Sequence, residues 1–358
     1  MPVPSRRIVK EALLVGVSYA TNDNLKDNEF PPQPGAHKDT LALRRLLTSK
    51  YGYEEENITT LVDSEEVPHE SWPTKENILR AMKNLIADKQ AGDHIVFAFS
   101  GHGGQVKALV ESEEIDGMDE ILLPVDCTVD PTSLDNYFVN FIRDDEIRDI
   151  FVNQLDAGVR CTLIFDCCHS GTASDLPSVG SPISTTPDSL LCNSISPRSA
   201  GAGSFAQMET LNDGHVDSAP YLWPSARAAS IDYFEKMVTS WSACLDDQVT
   251  FGRKSGGIFM KVRHICIVYR PTPWLIGILQ AFTHVLEFTP HPTHRELLQY
   301  LRDHLMKVTE HENRKHEKAD KTCEVPMPGD NQWSPCVAPR PQLGSLCPKA
   351  ILQMQFTL

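Results

Sequence analysis

Two adjacent cysteines, Cys167 and Cys168, close the apolar run of LIFDCCHSG (residues 163–171), and His102 follows the apolar run of FAFSGHGGQ (97–105). A thiol beside an imidazole can act as a nucleophile with its base: the ring assists thiolate formation and later returns the proton to a leaving amine. Other uses compete. A cysteine at the end of a strand is often a small buried hydrophobe, and a histidine after a strand is often structural. A zinc site is a third option, but adjacent cysteines lack the usual two-residue spacer and no second Cys or His pair stands at ligand spacing. Which of the two cysteines attacks is not decided by these residues alone.

The surrounding pattern says how such groups would meet. ALLVGV (12–17), NITTLVD (57–63), HIVFAFS (94–100), CTLIFDC (161–167) and VTSWSAC (238–244) read as strands. Between them run helical patterns: 37–52 with Leu41, Leu43, Leu46 and Leu47 and a stop at Gly52, 74–86 capped by Thr74, and 144–155 with acids in its first turn. A good amphipathic helix follows at 294–308, and 349–356 is expected to close the sheet. Strand–helix alternation with continuously apolar strands means an α/β fold on a mostly parallel sheet. Chemistry in such sheets sits beyond the carboxyl ends of the strands. Neighbouring strands lie ~5 Å apart, so the turns after 100 and 166 open side by side. Gly103 and Gly104 let a substrate approach the backbone closely, and the amides of Gly103 and Cys168 are candidates for an oxyanion site.

The bulk properties bound the class. The 358 residues carry a net charge of −15, which argues against a nucleic-acid partner and suits a basic substrate or a bound cation. The N-terminus lacks the features of a signal peptide, and the apolar stretch near 264–282 is broken by Arg270, Pro271 and Pro273, so neither export nor membrane insertion is expected. Ten cysteines without an export signal suggest free thiols in a cytoplasmic setting, with the nucleus as a second compartment. The expected organisation is a short N-terminal extension (1–10), a large catalytic part (11–175), a flexible Ser/Pro/Gly-rich linker (176–235) and a small part (236–358). Segments 262–280 and 329–341 break the pattern of the small part and read as insertions, the first as family-specific or as a translated intron.

SGHGGQ and DCCHSG, in this order, resemble a type I metacaspase of the fungal kind, in the caspase-like group of cysteine proteases. GAHKDTLAL, DEILLPVD, IRDDEI and SACLDDQ strengthen the resemblance. It implies a caspase-like fold with a central six-stranded sheet flanked by helices. It makes Cys168 the nucleophile, His102 the base and Cys167 a supporting residue, and it implies cleavage after Arg or Lys through a pocket of Asp39, Ser100 and Asp166. Ala36 stands where some relatives have cysteine, so one side of that pocket is expected to differ in shape. The resemblance further implies activation by calcium at Asp119, Asp144, Asp145 and Asp175, and self-cleavage in the linker, for which Arg198, Arg227 and Lys236 are candidates. The expected partners are protein or peptide substrates, and the expected state is a monomer without the Pro/Gln-rich prodomain of many type I members. A non-catalytic caspase-like module that binds partner or misfolded proteins is the alternative.

Overall fold

The structure is a computed structural model that describes residues 6–28, 30–109, 117–132, 137–167, 174, 176–177, 179, 236–243, 278–321 and 338–358. The expected strands form. β1 (Lys10–Gly16), β2 (Ile58–Val62), β3 (His94–Ser100), β9 (Arg160–Asp166), β10 (Met237–Ser242) and β11 (Gln342–Ser345) make one sheet in the order β11-β10-β9-β3-β1-β2. All neighbours are parallel except the β10–β11 edge pair. A second, antiparallel sheet of β4 (Gly103–Lys107), β5 (Met118–Leu122) and β8 (Ile142–Arg143), and a small ribbon of β6 (Thr128–Val129) and β7 (Phe138–Val139), build out the ground beyond β3.

The strands are apolar on both faces because both faces are covered. Leu13, Val15, Phe97, Phe99, Leu163 and Phe165 pack on one side with Ile78 and Met82 of α3 (Lys75–Ile86) and with Phe151. The intervening residues Leu14, Val96, Ala98 and Ile164 pack on the other, with α2 (Ala36–Tyr51), α5 (Ile278–Phe288) and α6 (His294–Lys321). This period-two division is what fixes the register of a two-sided sheet. The short helices are α1 (Asp23–Asp27), α4 (Asp144–Arg148) and α7 (Pro348–Ile351). Thr74 caps α3 by accepting from the Asn77 amide at 3.2 Å, and Gly52 ends α2 in a left-handed conformation, as the sequence implies.

Several expectations are corrected. Leu41 lies on the outer face of α2, 50% exposed, while Leu43, Leu46 and Leu47 carry its buried stripe. The helix over 144–155 is α4 followed by a wider turn, Asp149–Asn153, in which the Gln154 amide reaches back five residues to Asp149 O. Gly103 and Gly104 belong to β4 rather than to a turn; the turn is confined to Gly101–His102. The sheet is closed by Gln342–Ser345, not 349–356, because Pro348 opens α7 and the rest of that tail makes one isolated bridge, Gln355 to Thr293. Of segment 262–280, residues 278–280 begin α5, with Ile278 and Leu279 buried in the core. Residues 262–277 and 329–337, and nearly all of the 176–235 linker, lie outside the described residues.

Candidate active site

Ser100 and Asp166 face each other at the ends of β3 and β9, and Gly101 N–H extends the ladder by donating to Asp166 O at 3.2 Å. His102 and Cys167 therefore leave the sheet side by side. Position 101 admits only glycine: a Cβ there would stand 2.7 Å from the Tyr19 hydroxyl and 2.9 Å from Phe99 Cζ. Cys168 and His169 lie outside the described residues. Cys167 is packed into the core at 2% exposure, beside Phe165 and Phe99 in the same cluster.

His102 is buried and held at three points. Its backbone N–H donates to the Tyr19 hydroxyl at 2.8 Å, and that hydroxyl donates to Leu123 O at 2.6 Å. Its Nε2–H donates to the Pro31 carbonyl at 2.9 Å, which places the lone pair on Nδ1. The Gln33 side-chain nitrogen lies over the ring, 2.6 Å from Nδ1 and 3.2 Å from Nε2. Tyr19 and Phe30 pack their rings on the imidazole at 4.7 and 5.4 Å between centroids. Burial lowers the imidazole to about 4, opposed by the Pro31 carbonyl. Tyr19 itself takes a positive φ of 55°, an uncommon conformation for a bulky residue. Asp63 secures it by accepting from the Ser18 and Tyr19 amides at 2.6 and 2.7 Å, while its Oδ1 also contacts His37 Nε2 at 2.7 Å.

The oxyanion candidate Gly103 is oriented by the small sheet. Leu123 N–H donates to His102 O at 3.1 Å, so Gly103 and Leu122 form a non-hydrogen-bonded pair and the Gly103 N–H points away from β5.

Asp39, Ser100 and Asp166 are all buried. Asp39, in the first turn of α2, accepts from Ser100 Oγ at 3.0 Å, so it is not the solvated helix acid that position often holds. Asp166 Oδ2 accepts from the Leu279 amide at 3.2 Å, at the start of α5, whereas its buried Oδ1 has no hydrogen-bond partner among the described residues. Burial raises this carboxyl to about 6, with the Leu279 and Ile278 amides opposing.

Asp119 on β5 and Asp144 and Asp145 at the head of α4 gather carboxylate oxygens within 4.8 Å of one another. Asp119 also pairs with Arg143, and Asp144 accepts from the Glu120 amide at 3.0 Å and the Asp145 amide at 2.9 Å. Hard oxygens converging from a strand and a helix start fit a calcium ion; Asp175 lies outside the described residues. Arg198 and Arg227 lie there too. Lys236 is described: it is buried, and its Nζ donates to Val152 O and Asn153 O at 2.9 and 3.0 Å, capping the preceding helical turn. That held position gives Lys236 a structural use and disfavours it as a cleavage point.

Tyr19, Pro31 and Gln33 have no signal in the sequence beyond a proline-framed loop, PPQPG.

Residues 10–177 match the family model described as metacaspase, peptidase C14 domain. The chain is similar to Metacaspase-1 of Schizosaccharomyces pombe, 38% identical over 168 residues that span 47% of this chain and 35% of that protein. Metacaspase-1B of Aspergillus fumigatus is 41% identical over 170 residues, 48% of this chain and 37% of that protein. Metacaspase-1 of Debaryomyces hansenii is 33% identical over 261 residues, 69% of this chain and 54% of that protein. The chain thus spans about a third to a half of the length of these curated relatives.

Proposed function

The chain belongs to the fungal-type metacaspases through residues 10–177, and on that footing we propose that it is a cysteine endopeptidase that cleaves peptide bonds after Arg or Lys. The observation that carries this reading is the preparation of His102: a buried ring whose Nε2–H meets the Pro31 carbonyl, at the same sheet edge from which Cys167 emerges. In this reading Cys168 loses its thiol proton to Nδ1 of His102 and attacks the carbonyl carbon of the scissile bond. The Gly103 amide, with that of Cys168, stabilises the oxyanion; the imidazolium then protonates the leaving amine, and water releases the acyl group. Cys167, deep in the core, supports the strand end.

Specificity follows from buried negative charge. The open Oδ1 of Asp166 and the Asp39–Ser100 pair support recognition of a guanidinium or ammonium, which would supply the missing partner. An acidic substrate side chain would meet like charge there instead. Asp119, Asp144 and Asp145 would hold an activating calcium ion, with Asp175 as a further ligand; bound there, it would neutralise the acidic cluster and order the nearby loops. Self-processing after Arg198 or Arg227 is part of the same proposal, as are a monomeric state and protein substrates. The thiols of Cys127 and Cys161, in no disulfide among the described residues, support a cytoplasmic place. Among the described residues no helix is long and apolar enough to cross a membrane.

Hydrolysis of Arg, Lys and Asp reporter peptides, with and without calcium, tests the reading. Cleavage of the basic reporters, dependent on calcium and lost in Cys168→Ala, is expected; preference for Asp, or cleavage surviving Cys168→Ala, would overturn it.

A further inference from the structure

Asp63 follows β2 directly, and its fully buried side chain accepts from four donors. Ser18 N–H and His37 Nε2–H donate to Oδ1 at 2.6 and 2.7 Å, while Ser18 Oγ–H and Tyr19 N–H donate to Oδ2 at 2.9 and 2.7 Å. Two consecutive backbone amides aimed at one carboxylate hold the chain turned at Tyr19, whose φ of 55° a bulky residue does not keep unaided. Tyr19 carries that constraint to His102 through its hydroxyl and its ring. The fourth donor comes from another element. His37 stands in the first turn of α2, two residues from Asp39, which accepts from Ser100 Oγ on β3. The start of α2 lies hard against the end of β1, where a Cβ on Gly16 would stand 2.7 Å from Ala36 O. One carboxylate therefore joins the turn that holds the candidate base to the helix start that carries the candidate pocket acid.

We propose that Asp63 and His37 are positioning residues that lock the first turn of α2 to the Tyr19 turn, so that the Asp39–Ser100 pair and His102 are held in one fixed relation. The proposal rests on the reading of His102 as the base. Both residues act through Tyr19 rather than on the imidazole. An asparagine at position 63 offers one oxygen where the carboxylate offers two, and its NH2 must face a backbone N–H; two donors cannot hydrogen-bond each other. The Tyr19 turn then relaxes and His102 shifts with it. Asp93, at the opposite end of β3, is a control of the same construction. Its side chain is also fully buried, and it accepts from the Val9 and Gln90 amides at 2.8 and 2.9 Å and from Arg6 at 2.7 Å.

The test compares Asp63→Asn with Asp93→Asn in the full chain. Thermal melts read stability, an Arg reporter with calcium reads kcat and KM, and the imidazole proton–nitrogen spectrum of histidine-labelled protein reads the ring, with His102 assigned by the signal lost in His102→Gln. Both variants are expected to lower Tm. Only Asp63→Asn is expected to displace the His102 signal and to lower kcat, by about 100-fold for a shift of ~1 Å, with KM held within about threefold. His37→Leu is expected to cost about tenfold in kcat by the same route, and His37→Gln, which keeps an N–H donor, to recover it; this pair carries the test if Asp63→Asn does not fold. A His102 signal unmoved in Asp63→Asn, equal kcat losses in Asp63→Asn and Asp93→Asn, or equal losses in His37→Leu and His37→Gln would overturn the proposal and leave Asp63 a structural residue. If His102→Gln cleaves like wild type, the reading of His102 as the base fails, while the spectrum of Asp63→Asn still decides whether Asp63 positions the ring.

Discussion

Removing one oxygen atom, in Tyr19→Phe, should unsettle the candidate base without touching its ring. The Tyr19 side chain is fully buried, and its hydroxyl stands between the His102 N–H at 2.8 Å and Leu123 O at 2.6 Å. Burial holds this phenol far above its usual range, so the hydroxyl keeps its proton at any working pH. The variant leaves one buried donor and one buried acceptor without their partner, each worth ~1–3 kcal/mol. A net loss of ~3 kcal/mol is expected, which lowers Tm by about 6–12 °C for a cooperative unit of 150–250 residues. With the His102 N–H no longer held by the Tyr19 hydroxyl, a displacement of ~1 Å would cost about 100-fold in kcat/KM. The assays are thermal melts and hydrolysis of an Arg reporter. Tyr53→Phe is the internal control, because the buried Tyr53 hydroxyl has no hydrogen-bond partner among the described residues; its Tm should hold or rise. If Tyr19→Phe and Tyr53→Phe melt alike and Tyr19→Phe keeps wild-type kcat/KM, the clamp on His102 is refuted.

The carboxyl of Asp166, raised to about 6 by burial, holds a proton in the folded chain that the unfolded chain, at ~3.9, has already released. Its contribution to stability therefore falls as pH rises from about 4 to about 6. Asp166→Asn should be more stable than wild type in urea melts at pH 7, level with it near pH 4, and inactive on Arg reporters. Asp93 behaves oppositely: its hydrogen bond from Arg6 holds it at about 2, so the stabilisation is present above ~4 and is lost as pH falls towards about 2. Arg6→Ala should lower Tm at pH 7, with the gap closing in acid. Asp144→Asn should weaken calcium binding at least tenfold by calorimetry, since it removes charge from the converging carboxylates.

The groups that announce themselves in the sequence are those whose neighbours in the chain define them. SGHGGQ and DCCHSG each follow an apolar strand, and their strands turned out to be neighbours in register. The side chains that position His102 are different. Gln33 and Tyr19 stand 69 and 83 residues away, and their role exists only once the loops before α1 and α2 fold over the end of β3. No local pattern marks a glutamine between prolines as the partner of a histidine. The edge strand was misplaced for a related reason. Gln342–Ser345 contains a glycine and little apolar content; a Cβ at Gly344 would stand 3.0 Å from Leu176 Cβ, a tight contact that favours the glycine. Its pairing with β10 decides its conformation more than its own propensity does. Arg143 beside Asp119 was hidden too, since IRDDEI reads as a helix start while its arginine reaches across to β5.

The most direct measurement is to treat the calcium-loaded chain with an arginyl chloromethyl ketone peptide and map the adduct by mass spectrometry in wild type, Cys168→Ala and His102→Ala. Alkylation confined to Cys168, absent from Cys168→Ala and slowed at least 100-fold in His102→Ala, is the predicted result. An adduct on Cys167, or labelling of Cys168 at the wild-type rate without His102, would contradict the account.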